Sequence, residues 1–209
     1  MQNNTDLDQG KMLQVLNWGY GKALNGVAGM SSASEIAEGY MNGNGTTLDK
    51  ANSLVRWQCA KAGTSGFVSN LGGLMTMPVG IPANIASVIY VQIRMVVAIA
   101  HMGGYDIQDD RVRTLVYVCL VGNNAQQILK QAGVTLGRKV AQRAVNKISG
   151  RALIELNKKV GFRLATKFGE RGIVNFGKAV PLAGGLVGGS FDYVTTKGVG
   201  KAATMIFIE

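Results

Sequence analysis

Three prolines, two cysteines and one histidine are few for 209 residues, and each shortage removes a class of explanation. Cys59 and Cys119 lie too far apart in sequence to make a disulfide framework or a metal-ligand motif. They are expected as small buried apolar side chains in a reducing compartment. With His101 the sole imidazole, a Ser-His-Asp or Cys-His mechanism has one candidate base. Zinc-ligand spacing is absent. So is a Walker-type phosphate loop: the Gly-Thr-Ser-Gly at 63–66 has no lysine, and Gly19-Tyr-Gly21 follows no strand. No cofactor or metal is expected. Charged residues reach 16%, against about a quarter in an average soluble domain. The apolar share of 47% argues against intrinsic disorder. The opening residues, Met-Gln-Asn-Asn-Thr-Asp-Leu-Asp, have neither the basic segment nor the apolar core of a signal peptide. The expected location is cytoplasmic or peripheral to a membrane; a specialised secretion system would leave no such mark. Linkers, internal repeats and low-complexity tracts are also missing, so residues 1–209 are read as one domain.

Apolar residues recur at spacings of three and four, and alternating runs are short, which predicts an all-α chain folded as a compact helical bundle. A first helix over Asp8–Ala28 has an apolar stripe of Leu13, Leu16, Tyr20, Leu24 and Val27. Ser32 and Glu35 have the spacing of a capping box. Gly43-Asn44-Gly45 makes a turn, and Thr46 or Thr47 caps a helix carrying Leu48, Leu54, Val55 and Trp57. From Ala62 to Ile93 no residue is charged. That stretch is long enough to span a bilayer, for which about 20 residues suffice. Gly72, Gly73, Pro78, Gly80 and Pro82 interrupt it, however, and Asn70, Asn84 and Gln92 are polar. A buried apolar hairpin over 66–102 is the favoured reading. Its second arm starts with Pro82 at the first helical position and ends at Gly103-Gly104. Asp109 caps a helix that reaches Gln131.

The chain has 22 basic and 12 acidic residues, a formal charge of +10. Twelve of the basic residues and only Glu155 and Glu170 of the acids lie between Lys130 and Lys178, so this stretch holds the whole excess. Within it, Val140, Ala144, Ile148, Ala152, Leu156, Val160, Leu164 and Phe168 form an apolar row. Lys139, Arg143, Lys147, Arg151, Lys159, Arg163, Lys167 and Arg171 run beside it. A four-residue row drifts by about 40° per step on a helix, which predicts two helices with a break at Gly150 or Gly161. Phe162 and Phe168 are both expected to be buried. Near the end, Pro181 leads into a small-residue helix in which Gly184 and Gly188, and Gly185 and Gly189, repeat at four. Such spacing allows close helix packing.

The stretch GFVSNLGGLMTMPVGIPANIASVIYVQIRMVVAIAHMGGYDIQDDRVRTLV resembles the central signature of EcsC-like proteins. It has a Gly-rich apolar start, an Ile-Pro-Ala helix start, an Arg in the helix and a Gly-Tyr-Asp exit. The later VPLAGGLVGGSFDYVTTKGVGKAA resembles that family's terminal Pro-Leu-Gly-rich helix. The resemblance places N-terminal helices over about 1–60 and the family core over 61–209. It implies a bacterial helical protein and supplies no catalytic residues. The family is named after a protein encoded beside an ABC-transporter operon, which implies a soluble accessory, protein-binding role as one option.

Function has to be sought in side chains and charge. Arg94 and His101, seven residues apart, share a helix face, and Asp106, Asp109 and Asp110 follow. They could form a metal or acid–base centre serving a hydrolase. The structural alternative, which is favoured, pairs Arg94 with an aspartate and sets His101 at the helix end. The basic stretch calls for a polyanionic partner: an anionic membrane surface or an acidic protein. Nucleic acid is disfavoured because no recognisable nucleic-acid fold accompanies the charge. The expected anionic-surface residues are Lys139, Arg143, Lys147, Arg151, Arg163 and Lys167. The expectation is a non-catalytic, membrane-associated protein that binds anionic lipid and can insert its apolar hairpin. A pore-forming toxin built on the same hidden hairpin is the main variant.

Overall fold

Four of the helices begin just after Asp8, Ser32, Thr46 and Asp109, where the sequence offers a side-chain acceptor for their unpaired N–H groups. The computed structural model describes residues 8–27, 29–62, 80–134, 142–176 and 184–208. These residues are mainly helical, and among them the one β feature is an isolated bridge between Val27 and Met30. Helix α1, Gln9–Asn25, is capped by Asp8, whose carboxylate accepts from the Lys11 N–H at 2.8 Å. It stops at Gly26, where φ is +71°, short of the expected Ala28. Helix α2, Ala33–Met41, opens on the expected capping box: Glu35 N–H donates to Ser32 Oγ at 3.2 Å, and Ser32 N–H donates to Glu35 Oε2 at 2.7 Å. Helix α3, Thr47–Ala62, repeats the device with Thr46 and Asp49.

Helix α4, Ala83–Met102, starts just after Pro82, which occupies the cap and not the first helical position. Gly104, at φ +78°, turns the chain at the other end, and Tyr105 N–H reaches back to the Ala100 carbonyl at 3.1 Å. The first arm of the expected hairpin lies outside the described residues. Helix α5, Asp110–Cys119, is capped by Asp109 as expected, with Arg111 N–H donating to its carboxylate at 2.6 Å. The expected run to Gln131 is broken by a 3-10 turn at Gly122–Asn124, after which α6 covers Ala125–Gln131. Gly122 takes φ +62°, and its Cα packs 3.9 Å from the Cβ position of Gly198. Helix α7, Gln142–Val145, is one turn, α8 runs over Gly150–Phe176, and α9 over Gly184–Phe207.

The centre of the molecule is α4. Every side chain from Ile89 to Ala100 is buried, and α1, α2, α3, α5 and α9 all pack against this helix. Gln92, a polar interruption in the apolar run, is matched by donating to Thr196 Oγ1 of α9 at 3.2 Å. On α1 the buried set is Met12, Val15, Leu16, Gly19, Tyr20 and Ala23, while Leu13 and Leu24 sit half-buried at its margin. The expected stripe is shifted and widened because α1 is sandwiched between α4 and α8. Both cysteines are free and buried, as read from the sequence. On α3, Leu54 and Val55 are buried but Trp57 is half exposed, at 54%.

Helix α8 packs across α1, α5 and α6. Of the expected apolar row, Ile148 just ahead of α8 and Leu156, Val160, Leu164 and Phe168 on it are buried, Ala144 and Ala152 are half-buried, and Val140 lies outside the described residues; each large side chain so buried contributes about 1.5–3 kcal/mol through removal from water. The break falls just before Gly150, one of the two expected places. Gly161 is no break; it lies within α8 pressed on α1, where an added Cβ would come within 2.9 Å of Gln9 Cγ. Gly184, Gly185, Gly188 and Gly189 form the start of α9, and their packing lies outside the described residues. Close approach occurs further along the same helix, at Gly200, where a Cβ would stand 2.5 Å from Val55 Cγ1. At the far end of α4, a Cβ on Gly103 would collide with the Phe207 carbonyl of α9.

Candidate functional site

One side of α8 is buried, so its other side is exposed by construction. Arg151, Ile154, Lys158 and Phe162, spaced by three, four and four, share that outer face. Ile154 is 60% exposed and Phe162 63% exposed. The expected burial of Phe162 is thus corrected, and Phe168 alone is buried. Periodicity misplaced Phe162 because it falls two residues after Val160, on the opposite side of the helix. Arg163 is exposed beside Phe162, and Lys147 is exposed just ahead of the helix. Lys159 is tied to Glu155 at 3.4 Å, and half-buried Lys167 lies 5.4 Å from the Phe168 ring. Lys139 and the side chain of Arg143 lie outside the described residues. The face therefore combines three exposed cations with two large exposed apolar side chains. Lys158 and Ile154 are additions that a strict four-residue row passed over.

Around Arg94 and His101 the structure keeps His101 at the helix end, as the structural reading expected, but not the partner expected for Arg94. Arg94 is buried, at 6% exposure. Its Nη1 donates to the Ser31 carbonyl at 3.3 Å, its guanidinium carbon is 5.5 Å from the Tyr90 ring centre, and its Nε has no partner. Burial holds its pKa below the usual arginine range. The aspartates are committed elsewhere: Asp109 to Arg111 at 3.5 Å, Asp110 to Arg113 at 2.7 Å, and Asp106 to the Gln108 N–H at 2.9 Å. The expected Arg94–aspartate pair does not form. Spacing could not reveal this, because the cap at Asp109 and the i,i+3 pair at Asp110 bind the acids locally. His101 is half-buried in the last turn of α4. Among the described residues no group of three or more His, Cys, Asp or Glu side chains is placed to hold a metal ion.

Arg94 instead faces a cavity of about 470 Å³ bounded by the 29–31 segment, α2, α3 and α4. Gln58, 4% exposed, shares this wall, and its Oε1 is without a partner. Lys61 and Trp57, stacked at 4.9 Å, also line the cavity. Tyr40 lines it too, and burial raises its hydroxyl pKa. Sequence reasoning missed this constellation; the available signal was a lone arginine in an apolar helix without an acid at helical spacing.

No curated protein and no solved structure matches the chain. The EcsC protein family model matches residues 34–208. The match takes in α2 and α3 as well as the apolar core from α4 onward, so it begins ahead of the family core expected over 61–209. With most of its length covered, from inside α2 to the end of α9, the chain belongs to the EcsC protein family.

Proposed function

We propose that this protein is a non-catalytic, peripheral binder of anionic membrane surfaces that docks through the outer face of α8. The observation that carries this reading is the exposure of Ile154 and Phe162 among Arg151, Lys158 and Arg163. Each basic side chain near an anionic leaflet contributes roughly 1 kcal/mol, and apolar side chains at the same height bury into the headgroup boundary. A purely solvated basic face has no need of exposed Ile and Phe. Helix α4, the second arm of the expected hairpin, is long and apolar enough to cross a bilayer, yet 89% of its most apolar window is buried inside the domain. Attachment through α8 leaves that core intact, so the proposal requires no insertion.

The test is co-sedimentation with vesicles of phosphatidylglycerol and phosphatidylcholine. Binding is expected at low salt and should weaken with added salt, because screening shortens the reach of charge to about 8 Å at physiological ionic strength. Replacing Arg151, Lys158 and Arg163 by glutamate should abolish binding. Replacing Ile154 and Phe162 by serine should remove the fraction that survives a salt wash. Absence of binding by folded protein at low salt sinks the proposal. Leakage of vesicle contents would shift the reading to a pore-forming protein.

A further inference from the structure

A buried arginine without an acid is costly, since desolvation of the cation is offset only by a nearby anion. Arg94 has a carbonyl and an aromatic ring but no carboxylate, and its Nε is unmatched. The acid in the cavity wall is Glu35, and that side chain accepts from Ser32 N–H at 2.7 Å and Ser32 Oγ at 3.0 Å. No ion pair joins Glu35 to Arg94 among the described residues. Gln58 adds a second buried and unmatched polar group to the same wall. Water could satisfy the hydrogen-bonding capacity of both side chains, but it would leave the positive charge unneutralised.

We infer that this cavity is a binding site for a small organic carboxylate with an apolar body, received by Arg94. Its volume of about 470 Å³ lies within the range of small-molecule sites. Ile36, Leu54 and Trp57 supply apolar and aromatic surface around the polar floor. Arg94 brings one buried positive charge to the wall with no acid paired to it among the described residues, so a singly charged anion neutralises it, whereas a phosphate dianion overshoots it. A planar carboxylate also suits a guanidinium whose Nε edge is unused. None of the lining comes from α8, so this site stands or falls independently of the proposed membrane face.

The experiment is calorimetric titration of the full chain with octanoate, with octanol and inorganic phosphate as controls. Expected are one saturable octanoate site and binding of either control at least about tenfold weaker, the loss of one charge-assisted hydrogen bond. Arg94→Gln should weaken octanoate by a similar factor. The ligand-free variant should unfold no earlier than the wild type, because the unneutralised charge is gone. Gly39 lines the cavity and its Cβ direction meets open space within 4 Å. Gly39→Leu adds bulk at the cavity wall without touching the core, and should also weaken octanoate binding; this keeps the test decisive if Arg94→Gln does not fold. The inference is overturned if folded wild-type protein shows no saturable octanoate binding at millimolar concentration. Equal binding of octanol, or undiminished binding in Gly39→Leu, overturns it as well.

Discussion

Adding one methyl group at Gly200 tests the tightest helix contact in the core. An added Cβ would lie 2.5 Å from Val55 Cγ1, 2.7 Å from Cγ2 and 3.1 Å from Cβ. Carbon atoms pack at about 3.5–4.0 Å, so α3 and α9 must separate or Val55 must leave its rotamer. Overpacking of this kind costs about 1–3 kcal/mol. The gain from replacing a mid-helix glycine by alanine returns about 1 kcal/mol, leaving Gly200→Ala destabilised by about 1 kcal/mol. Val55→Ala removes two buried methyl groups at about 0.8 kcal/mol each, and with the cavity left behind it should lose about 2 kcal/mol. In the double variant the new methyl occupies the space that Val55 vacates. Its loss should be about 1 kcal/mol instead of the additive 3, a coupling of about 2 kcal/mol. Urea unfolding followed by circular dichroism measures all three, with unchanged m-values confirming the same two-state reaction. Strict additivity, or a Gly200→Ala protein stabilised by its helix propensity alone, would refute the close contact. It would also displace α3, which carries Trp57, Gln58 and Lys61 into the cavity over Arg94.

Two further tests address hydrogen bonds. Tyr20 donates to the Ile107 carbonyl at 2.8 Å and Tyr117 to Asn17 Oδ1 at 3.0 Å, and burial raises both phenol pKa values well above the ordinary 10. A raised pKa means the folded state holds the proton more tightly. The associated stability is therefore full below pH 10 and falls as pH climbs above it; Tyr20→Phe and Tyr117→Phe should each flatten that alkaline decline in thermal melts. Ser32→Ala removes the α2 cap and should lower stability by about 1 kcal/mol in urea titrations, with Ser32→Thr retaining most of it.

Helix identity was legible where the signal is local. Ser32–Glu35, Thr46 and Asp109 announced their helices because a short polar side chain two or three residues ahead of a free backbone N–H caps it readily. The apolar row from Ile148 to Phe168 was legible for the same reason of spacing. What sequence could not supply was the neighbour. Phe162 was expected inside because phenylalanine usually is, yet only the position of α1, α5 and α6 decides which side of α8 is covered. The break at Gly122 depends on Gly198 facing it, across about 75 residues of chain. The close-packing role assigned to the paired glycines at the start of α9 has its visible counterpart at Gly200, whose importance is set by Val55. For Arg94 the sequence showed the charge and its apolar setting; the absence of an acid beside it is a three-dimensional fact.

The enclosure of α4 has a kinetic consequence. Its amides from Ile89 to Ala100 belong to buried residues, on a helix wedged among five others. A segment held this way has no local opening that frees it alone, so its hydrogen exchange should proceed through global unfolding and report the full stability of the domain. The outer turns of α8 should exchange earlier, through fraying and partial opening. Any process that delivers α4 to a bilayer must then cross the same barrier as unfolding, and its rate should track the unfolding rate across mutants. The Gly200 and Val55 variants, chosen for packing, would therefore also show whether membrane entry and domain collapse are one event.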